Sequence, residues 1–196
     1  MKLSNRTLSI VVVIGCSLYT ASLFYFVPKD SVQSAPALIN DDYIPEQPSI
    51  GLPVTLKIPS INLDSAIESV GLTHNGSMDI PKDTNNVAWF NLGPRPGDNG
   101  SAVIDGHYGI KDGKASAFDD LYKLRIGDKL YVEDDRGLII SFVVSGIRRF
   151  DPKADASTVF GSSDGKAHLN LVTCEGEWNK VSKGYPQRLV VFSDKE

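Results

Sequence analysis

Residues 129–144 read KLYVEDDRGLIISFVV, and this stretch decides the fold class. Residues 129–133 alternate polar and apolar side chains with a period of two, whereas residues 138–144 form a run rich in β-branched residues. Both patterns are typical of β-strands. The acidic residues between them, Glu133, Asp134 and Asp135, are predicted to form a solvated hairpin turn and not a calcium site.

Short strands of the same kind recur from residue 53 to near the end of the chain. The pattern predicts further strands at residues 54–59, 66–70, 101–107, 168–174 and 187–193. Glycine-containing turns separate them, and only residues 117–123 have a helical pattern. Because strands do not alternate with helices, the sequence predicts a mostly all-β fold, either a closed barrel or a sandwich.

The composition indicates one globular domain with an appendage. The chain has 196 residues, of which 41% are hydrophobic and 22% are charged, and this balance excludes a disordered polyelectrolyte. The formal net charge is −4, so the chain lacks the broad basic surface that nucleic acid binding requires. Cys16 and Cys174 are too few cysteines for a disulfide framework.

Residues 8–27 form an uncharged apolar stretch that predicts a transmembrane helix. Lys2 and Arg6 precede it, so the N-terminus is expected in the cytoplasm and the remainder of the chain outside the cell membrane. A cleaved signal peptide and a lipoprotein signal acylated at Cys16 are the alternatives. All three interpretations place the globular domain outside the membrane.

A segment rich in proline, serine and acidic residues follows the apolar stretch. It lacks apolar periodicity and is predicted to be a semi-extended extracellular tether. The predicted organisation is therefore a cytoplasmic stub with a membrane anchor at 1–27, a tether at 28–52 and a catalytic β-barrel at 53–196.

Three residues at strand ends could carry chemistry together. Cys174 ends an apolar strand immediately before a polar, glycine-containing loop, and His107 likewise closes a strand. Arg188 opens the last apolar strand, and its guanidinium could lower the cost of forming a thiolate and donate hydrogen bonds to an oxyanion. The structural alternatives are a buried cysteine that fills the barrel and a rim arginine in a surface ion pair. The other histidines, His74 and His168, are predicted to be surface residues.

These residues resemble the sortase family over about residues 54–192. The resemblance rests on Gly106-His107 at a strand end, Thr173-Cys174 at the end of an apolar strand, and the strand that begins Arg188-Leu189-Val190-Val191. Residues 91–107 look most like the class E and class F branch. One departure lies in the T-L-x-T-C motif, whose first threonine is Asn170 in this chain.

The resemblance implies a closed eight-stranded barrel with one or two short helices and the catalytic residues His107, Cys174 and Arg188. It also implies substrate contacts at Val172, Thr173 and Glu175. The implied reaction is cleavage of an LPxTG-like motif in surface proteins with C-terminal sorting signals. The acyl group then passes to an amine of a peptidoglycan precursor or of a pilin lysine.

No metal or organic cofactor is implied, and the acidic loops do not indicate the calcium regulation that occurs in some relatives. A sortase-like hydrolase, with water as the acceptor, is one alternative function. A non-enzymatic anchored barrel that serves as an adhesion or scaffold module is the other. An L,D-transpeptidase would need a cysteine in an S-H-G-C-like context, which the sequence lacks.

Overall fold

The computed structural model describes residues 49–111 and 113–196, which form ten strands, one short α-helix and two 3₁₀ turns. The strands are β1 (Pro53–Ile58), β2 (Leu63–Val70), β3 (Val87–Phe90), β4 (Gly100–Gly106), β5 (Ile110–Lys111), β6 (Lys114–Ala115), β7 (Lys129–Asp134), β8 (Ile139–Phe150), β9 (Ala167–Glu175) and β10 (Gln187–Lys195). The helix α1 covers Ser157–Phe160, and the 3₁₀ turns cover Pro59–Ile61 and Leu121–Lys123.

Eight of these strands close into a barrel in the order β1-β2-β3-β4-β9-β10-β8-β7, and β5 and β6 form a separate hairpin. Most neighbours are antiparallel, but β2 pairs with β3 and β4 pairs with β9 in parallel. Full closure leaves no unpaired edge in the main sheet. The prediction of an all-β closed barrel is therefore confirmed.

The barrel interior is the hydrophobic core of the protein. Alternate residues of each strand point inward, and their side chains pack with those of the segment that follows β6. The largest fully buried side chains include Phe118, Leu121 and Leu124 from that segment and Phe142 from β8. Burial of this apolar surface stabilises the fold and holds the ends of the strands in place.

Several local predictions need correction. The helical pattern at residues 117–123 forms only the 3₁₀ turn Leu121–Lys123, because the backbone N–H groups there donate to carbonyls three residues earlier, as Leu124 does to Leu121. The sequence reading missed β3, which is only four residues long, and also α1. Asp134 is buried and accepts hydrogen bonds from three backbone N–H groups, so the acidic run is not a wholly solvated turn.

The predicted membrane anchor and nearly all of the predicted tether lie outside the described residues. Within residues 49–111 and 113–196, no helix has the length and apolar character needed to span a bilayer. Residues 49–52 lie against the turn between β7 and β8, where Gly51 donates its N–H to Asp134 and Leu52 donates its N–H to Asp135.

Candidate active site

Cys174 and Arg188 lie directly opposite each other on neighbouring strands. The antiparallel register pairs Cys174 of β9 with Arg188 of β10, so their side chains project from the same, outer face of the barrel. Val172 and Val190 form the next pair on this face. The two residues that the sequence predicts to act together are therefore brought together by strand pairing.

His107 follows the last residue of β4, on the other side of β9. The parallel register of β4 and β9 pairs Gly106 with Thr173, which places His107 beside the end of β9 that carries Cys174. Gly106 is required at this point because a Cβ atom there would lie 2.4 Å from the ring of the buried Phe118. The Thr173 hydroxyl donates to the Gly106 carbonyl at 2.7 Å and so ties the two strand ends together.

The His107 ring is held by a backbone carbonyl. Its Nε2 atom lies 2.8 Å from the carbonyl oxygen of Pro81. Because a carbonyl only accepts hydrogen bonds, Nε2 carries a hydrogen in this arrangement, and Nδ1 is the basic nitrogen of the neutral ring. The ring can therefore take up or release one proton while its orientation stays constant.

These three side chains line one groove with a volume of about 790 Å³ on the outer face of the barrel. Apolar and aromatic side chains form much of its lining, among them Leu72, Met78, Ile80, Phe90, Phe150, Val159, Phe160, Val172, Trp178, Tyr185 and Val190. A groove of this size and composition suits an extended peptide with apolar side chains.

Cys174 is a free thiol that is partly exposed in the groove. Burial raises the pKa of the Cys174 thiol, the positive charge of Arg188 lowers it, and Asp105 raises it, with a net increase. Arg188 thus lowers the pKa of the thiol, as predicted from the sequence, but the increase caused by burial is larger. The resting site therefore holds a neutral thiol, and formation of the thiolate needs a proton acceptor.

Arg188 makes no salt bridge with any residue that the structure describes. Its Nη1 atom donates to the carbonyl oxygen of Gln187 at 3.2 Å, which leaves other N–H groups of the guanidinium available in the groove. This arrangement does not support the alternative that Arg188 serves only as one half of a rim ion pair. It fits a hydrogen-bond donor whose free N–H groups can stabilise an oxyanion that forms during a reaction.

An aromatic cluster borders the groove beyond Cys174. Tyr185 packs edge-on against Tyr108 and Trp178, with ring centroids 5.4 Å and 5.1 Å apart. Its hydroxyl donates to the Tyr108 carbonyl at 3.2 Å. The loop after β9 and the segment after His107 are thereby held together, which shapes this end of the groove.

The predicted substrate contacts differ in position. Val172 lines the groove. Thr173 is 1% exposed and faces the barrel interior, so its side chain cannot contact a ligand in the groove, and this corrects the expectation of a side-chain contact. Glu175 pairs with Arg149 through bonds of 2.6 and 2.9 Å and is not among the groove-lining residues. A contact at Thr173 would have to use the backbone.

The remaining histidines lie outside the groove. His74 is exposed, as predicted. His168 is only partly exposed, because its two ring nitrogens contact Asp194 at 2.7 Å and Asp164 at 3.0 Å. No group of three or more His, Cys, Asp or Glu side chains among residues 49–111 and 113–196 is arranged to hold a metal ion.

Sequence reasoning missed Asp105, whose carboxyl also lines the groove. It lies two residues before His107 on β4 and is paired with Val172 of β9. Burial raises the pKa of the Asp105 carboxyl to about 7, although the charge of Arg188 acts to lower it. The signal in the sequence was a single acidic residue inside an otherwise apolar strand. In the structure its side chain lies on the face of the strand that lines the groove.

A cysteine, a histidine and an arginine on adjacent strand ends can perform nucleophilic acyl transfer. A family model for the sortase domain matches residues 56–196. The chain belongs to the sortase family. Sortases are cysteine transpeptidases, which agrees with a cysteine, a histidine and an arginine in one groove.

Solved sortase structures match the barrel. Sortase C-1 from Actinomyces oris is 23% identical, with a TM-score of 0.58 and coverage of 73% of each chain. Sortase C1 from Streptococcus agalactiae, in a complex with MTSET, is 25% identical, with a TM-score of 0.57 over 73% of this chain and 66% of that chain. Sortase A from Corynebacterium diphtheriae is 20% identical, with a TM-score of 0.57 over 75% of this chain and 61% of that chain.

These structures are longer than the matched part of this chain, which covers between 61% and 73% of them. Comparison with curated proteins gives no match. The closer resemblance of residues 91–107 to class E and class F sortases stays a prediction, because these comparisons do not separate the classes.

Proposed function

We propose that this sortase is a membrane-anchored extracellular transpeptidase that cleaves an LPxTG-like sorting motif and transfers the acyl group to an amine. The observation that carries the proposal is the pairing of Cys174 with Arg188 in one groove that also contains His107. The groove lining supports a peptide substrate, since its apolar side chains suit the leucine and proline of such a motif.

In the first half of the reaction, His107 takes the proton of the Cys174 thiol. The thiolate sulfur then forms a bond to the carbonyl carbon of the threonine in the motif, and the carbonyl oxygen becomes an oxyanion. Arg188 donates hydrogen bonds to this oxyanion. The C–N bond breaks, and the imidazolium of His107 gives its proton to the departing amine.

In the second half, an acceptor amine attacks the thioester. The nitrogen forms the new C–N bond, neutral His107 takes a proton from it, and the Cys174 thiolate leaves as the C–S bond breaks. Arg188 again stabilises the oxyanion. A backbone N–H near Glu175 is a second donor in this proposal. The acceptor is a peptidoglycan precursor amine or a pilin lysine.

The remaining parts of the proposal concern the whole chain. Residues 1–27 form the cytoplasmic stub and anchor, 28–52 the tether and 53–196 the catalytic domain. Surface proteins with C-terminal sorting signals are the donors, and the subtype is class E or class F. The apolar stretch at residues 8–27 and the two basic residues before it support the anchor.

The test is mass spectrometry of the purified chain incubated with a library of LPxTG-type peptides, with and without added amine. We expect a covalent adduct on Cys174, peptide cleavage, and an amine-dependent transfer product. The matched control is Cys174→Ala, which should fold normally because alanine fits this partly exposed strand position. Cleavage that survives in Cys174→Ala would contradict the proposal, and cleavage without transfer to any amine would favour the hydrolase.

A further inference from the structure

The carboxyl of Asp105 lies in the catalytic groove without a partner that would neutralise it. Within the described part of the chain it makes no salt bridge, and the charge of Arg188 is the one influence that opposes the effect of burial on its pKa. Its register neighbours are Ala88 of β3 and Val172 of β9, which are both apolar. A carboxylate in such surroundings is costly unless a cation binds beside it.

Strand order separates Asp105 from Arg188. The strands β4, β9 and β10 are consecutive in the barrel, with Asp105 on β4, Cys174 on β9 and Arg188 on β10. Because neighbouring strands lie about 4.8 Å apart, β4 and β10 are about 10 Å apart across β9. Arg188 is therefore directly opposite Cys174 on the β10 side. On the β4 side, Asp105 lies beside Val172, two residues before Cys174 along β9. His107 follows the end of β4, two residues after Asp105.

We propose that Asp105 binds the positively charged group of the amine acceptor, and so holds its nitrogen on the side of Cys174 opposite to the oxyanion. This inference rests on the proposed function. The ligand is a primary ammonium, such as a lysine side chain, whose N–H groups donate to the carboxylate. The bound ammonium first loses one proton to water, which frees the lone pair of its nitrogen. The neutral amine then forms the C–N bond and gives a second proton to His107, and the Cys174 thiolate leaves as the C–S bond breaks.

The titration of Asp105 gives this role a defined pH range. Its carboxyl ionises as the pH rises through about 7, so the attraction for a cation is present above that pH and is lost below it. The other charged or titratable groups that line the groove are His107, Asp151, Asp155, Cys174, Lys183, Tyr185 and Arg188. Asp151 is exposed and serves as a matched control for the general charge of the groove.

The first experiment measures how fast Cys174 reacts with charged thiol reagents and needs no peptide substrate. The probes are the trimethylammonium-ethyl and sulfonatoethyl methanethiosulfonates, which carry opposite charges on similar skeletons and form the same type of disulfide. The chain carries Cys16→Ser, so that Cys174 is its one thiol. Taking the ratio of the two rates removes any change in thiolate reactivity.

At pH 8.5 we expect Asp105→Asn to lower the cation-to-anion rate ratio about tenfold. The variant removes one negative charge near the thiol, and water screens a charge less inside a groove than on an open surface. Asp151→Asn should change the ratio less than about twofold. At pH 5.5 the wild-type and Asp105→Asn ratios should converge. An unchanged ratio in Asp105→Asn, or an equal fall in Asp151→Asn, would overturn the proposal.

The second experiment follows the partition of the acylated enzyme between amines at pH 7.5. Asp105→Asn should raise the KM for a lysine-type amine about tenfold and leave the KM for hydroxylamine, which is mostly uncharged, within about twofold. An equal loss for both nucleophiles would overturn the assignment of Asp105 to the acceptor. Failure of the wild-type chain to acylate any peptide would instead contradict the proposed function, and the thiol reagent rates would be unaffected.

Discussion

At the scale of single residues, Arg188 allows a sharp distinction between a donor to an oxyanion and a surface charge. A donor must place its N–H groups at the developing charge, so Arg188→Lys should lower turnover by roughly 10²–10³ although it keeps the charge. The melting temperature should change little, because Arg188 makes no salt bridge with any described residue, and even an exposed ion pair contributes at most about 1 kcal/mol to folding. Steady-state kinetics and thermal denaturation of the same preparation measure both effects.

Arg188→Ala provides the companion measurement. It removes the charge as well as the donor, so the pKa of the Cys174 thiol should rise further, whereas Arg188→Lys should leave it nearly unchanged. The pH dependence of thiol alkylation measures this difference. Near-wild-type turnover in Arg188→Lys would remove Arg188 from the catalytic set and leave the backbone around residues 173–176 as the oxyanion donor.

Asp105 should make the stability of the fold depend on pH. Its pKa in the folded protein is about 7, above its ordinary value of 3.8. Between these values the folded state binds more protons than the unfolded state, so the free energy of unfolding falls as the pH rises. Asparagine does not ionise, so Asp105→Asn avoids the free-energy cost of a buried carboxylate. The variant should be more stable than the wild type at pH 8, by at most about 4 kcal/mol. Urea denaturation at pH 8, 6 and 4 measures the difference.

The difference between Asp105→Asn and the wild type should shrink steadily towards pH 4. Asp151→Asn, which changes an exposed carboxylate, should show no such trend. A variant that is less stable than the wild type at pH 8 would mean that another group of the folded protein stabilises the Asp105 carboxylate.

At the scale of elements, the turn between β7 and β8 depends on Asp134. Its carboxylate accepts hydrogen bonds from the N–H groups of Gly51 at 2.6 Å, Arg136 at 2.9 Å and Leu138 at 2.8 Å. Burial raises the pKa of Asp134, but these hydrogen bonds and the charge of Arg136 outweigh it and hold the pKa below its ordinary value. The side chain thus closes the hairpin and holds the residues that precede β1.

We expect Asp134→Asn to lower the melting temperature at pH 7, because an amide has only one oxygen to accept these bonds. The pKa is depressed in the fold, so this stabilisation is present above the unfolded pKa and is lost as the pH falls through the folded pKa. The two melting temperatures should therefore approach each other in acid. Asp135→Asn is the matched control, since the side chain of exposed Asp135 accepts only the Leu52 N–H among the described residues. An equal loss there would contradict the special role of Asp134.

At the scale of the whole molecule, the proposed topology predicts that residues 28–196 face outward on an uncleaved anchor. Protease applied to intact cells should release the catalytic domain by cutting in the tether, which lacks the apolar pattern of a folded segment. The N-terminal sequence of the mature protein should still include residues 8–27. A cytoplasmic marker protein that stays intact controls for cell lysis. A mature chain that begins near Pro28, or at an acylated Cys16, would show that one of the alternative signals operates.

The sequence by itself determined seven of the eight barrel strands and the presence of candidate catalytic residues at strand ends. Alternation and β-branched runs report which residues are extended, and these signals are local, so the strands at residues 129–133 and 168–174 could be found without the fold. His107, Cys174 and Arg188 were predicted as site residues in the same way, because a polar or thiol side chain at a strand end stands out against apolar neighbours.

Only the tertiary structure decided which face of each strand lines the groove. Thr173 and Cys174 are adjacent in the chain, yet one side chain enters the core and the other the groove, because successive residues of a strand point to opposite faces. The position of Asp105 beside Val172 likewise depends on the register between β4 and β9, and its burial is visible only in the folded protein. Closure of the barrel sets that register through contacts far apart in the sequence, which no local pattern records.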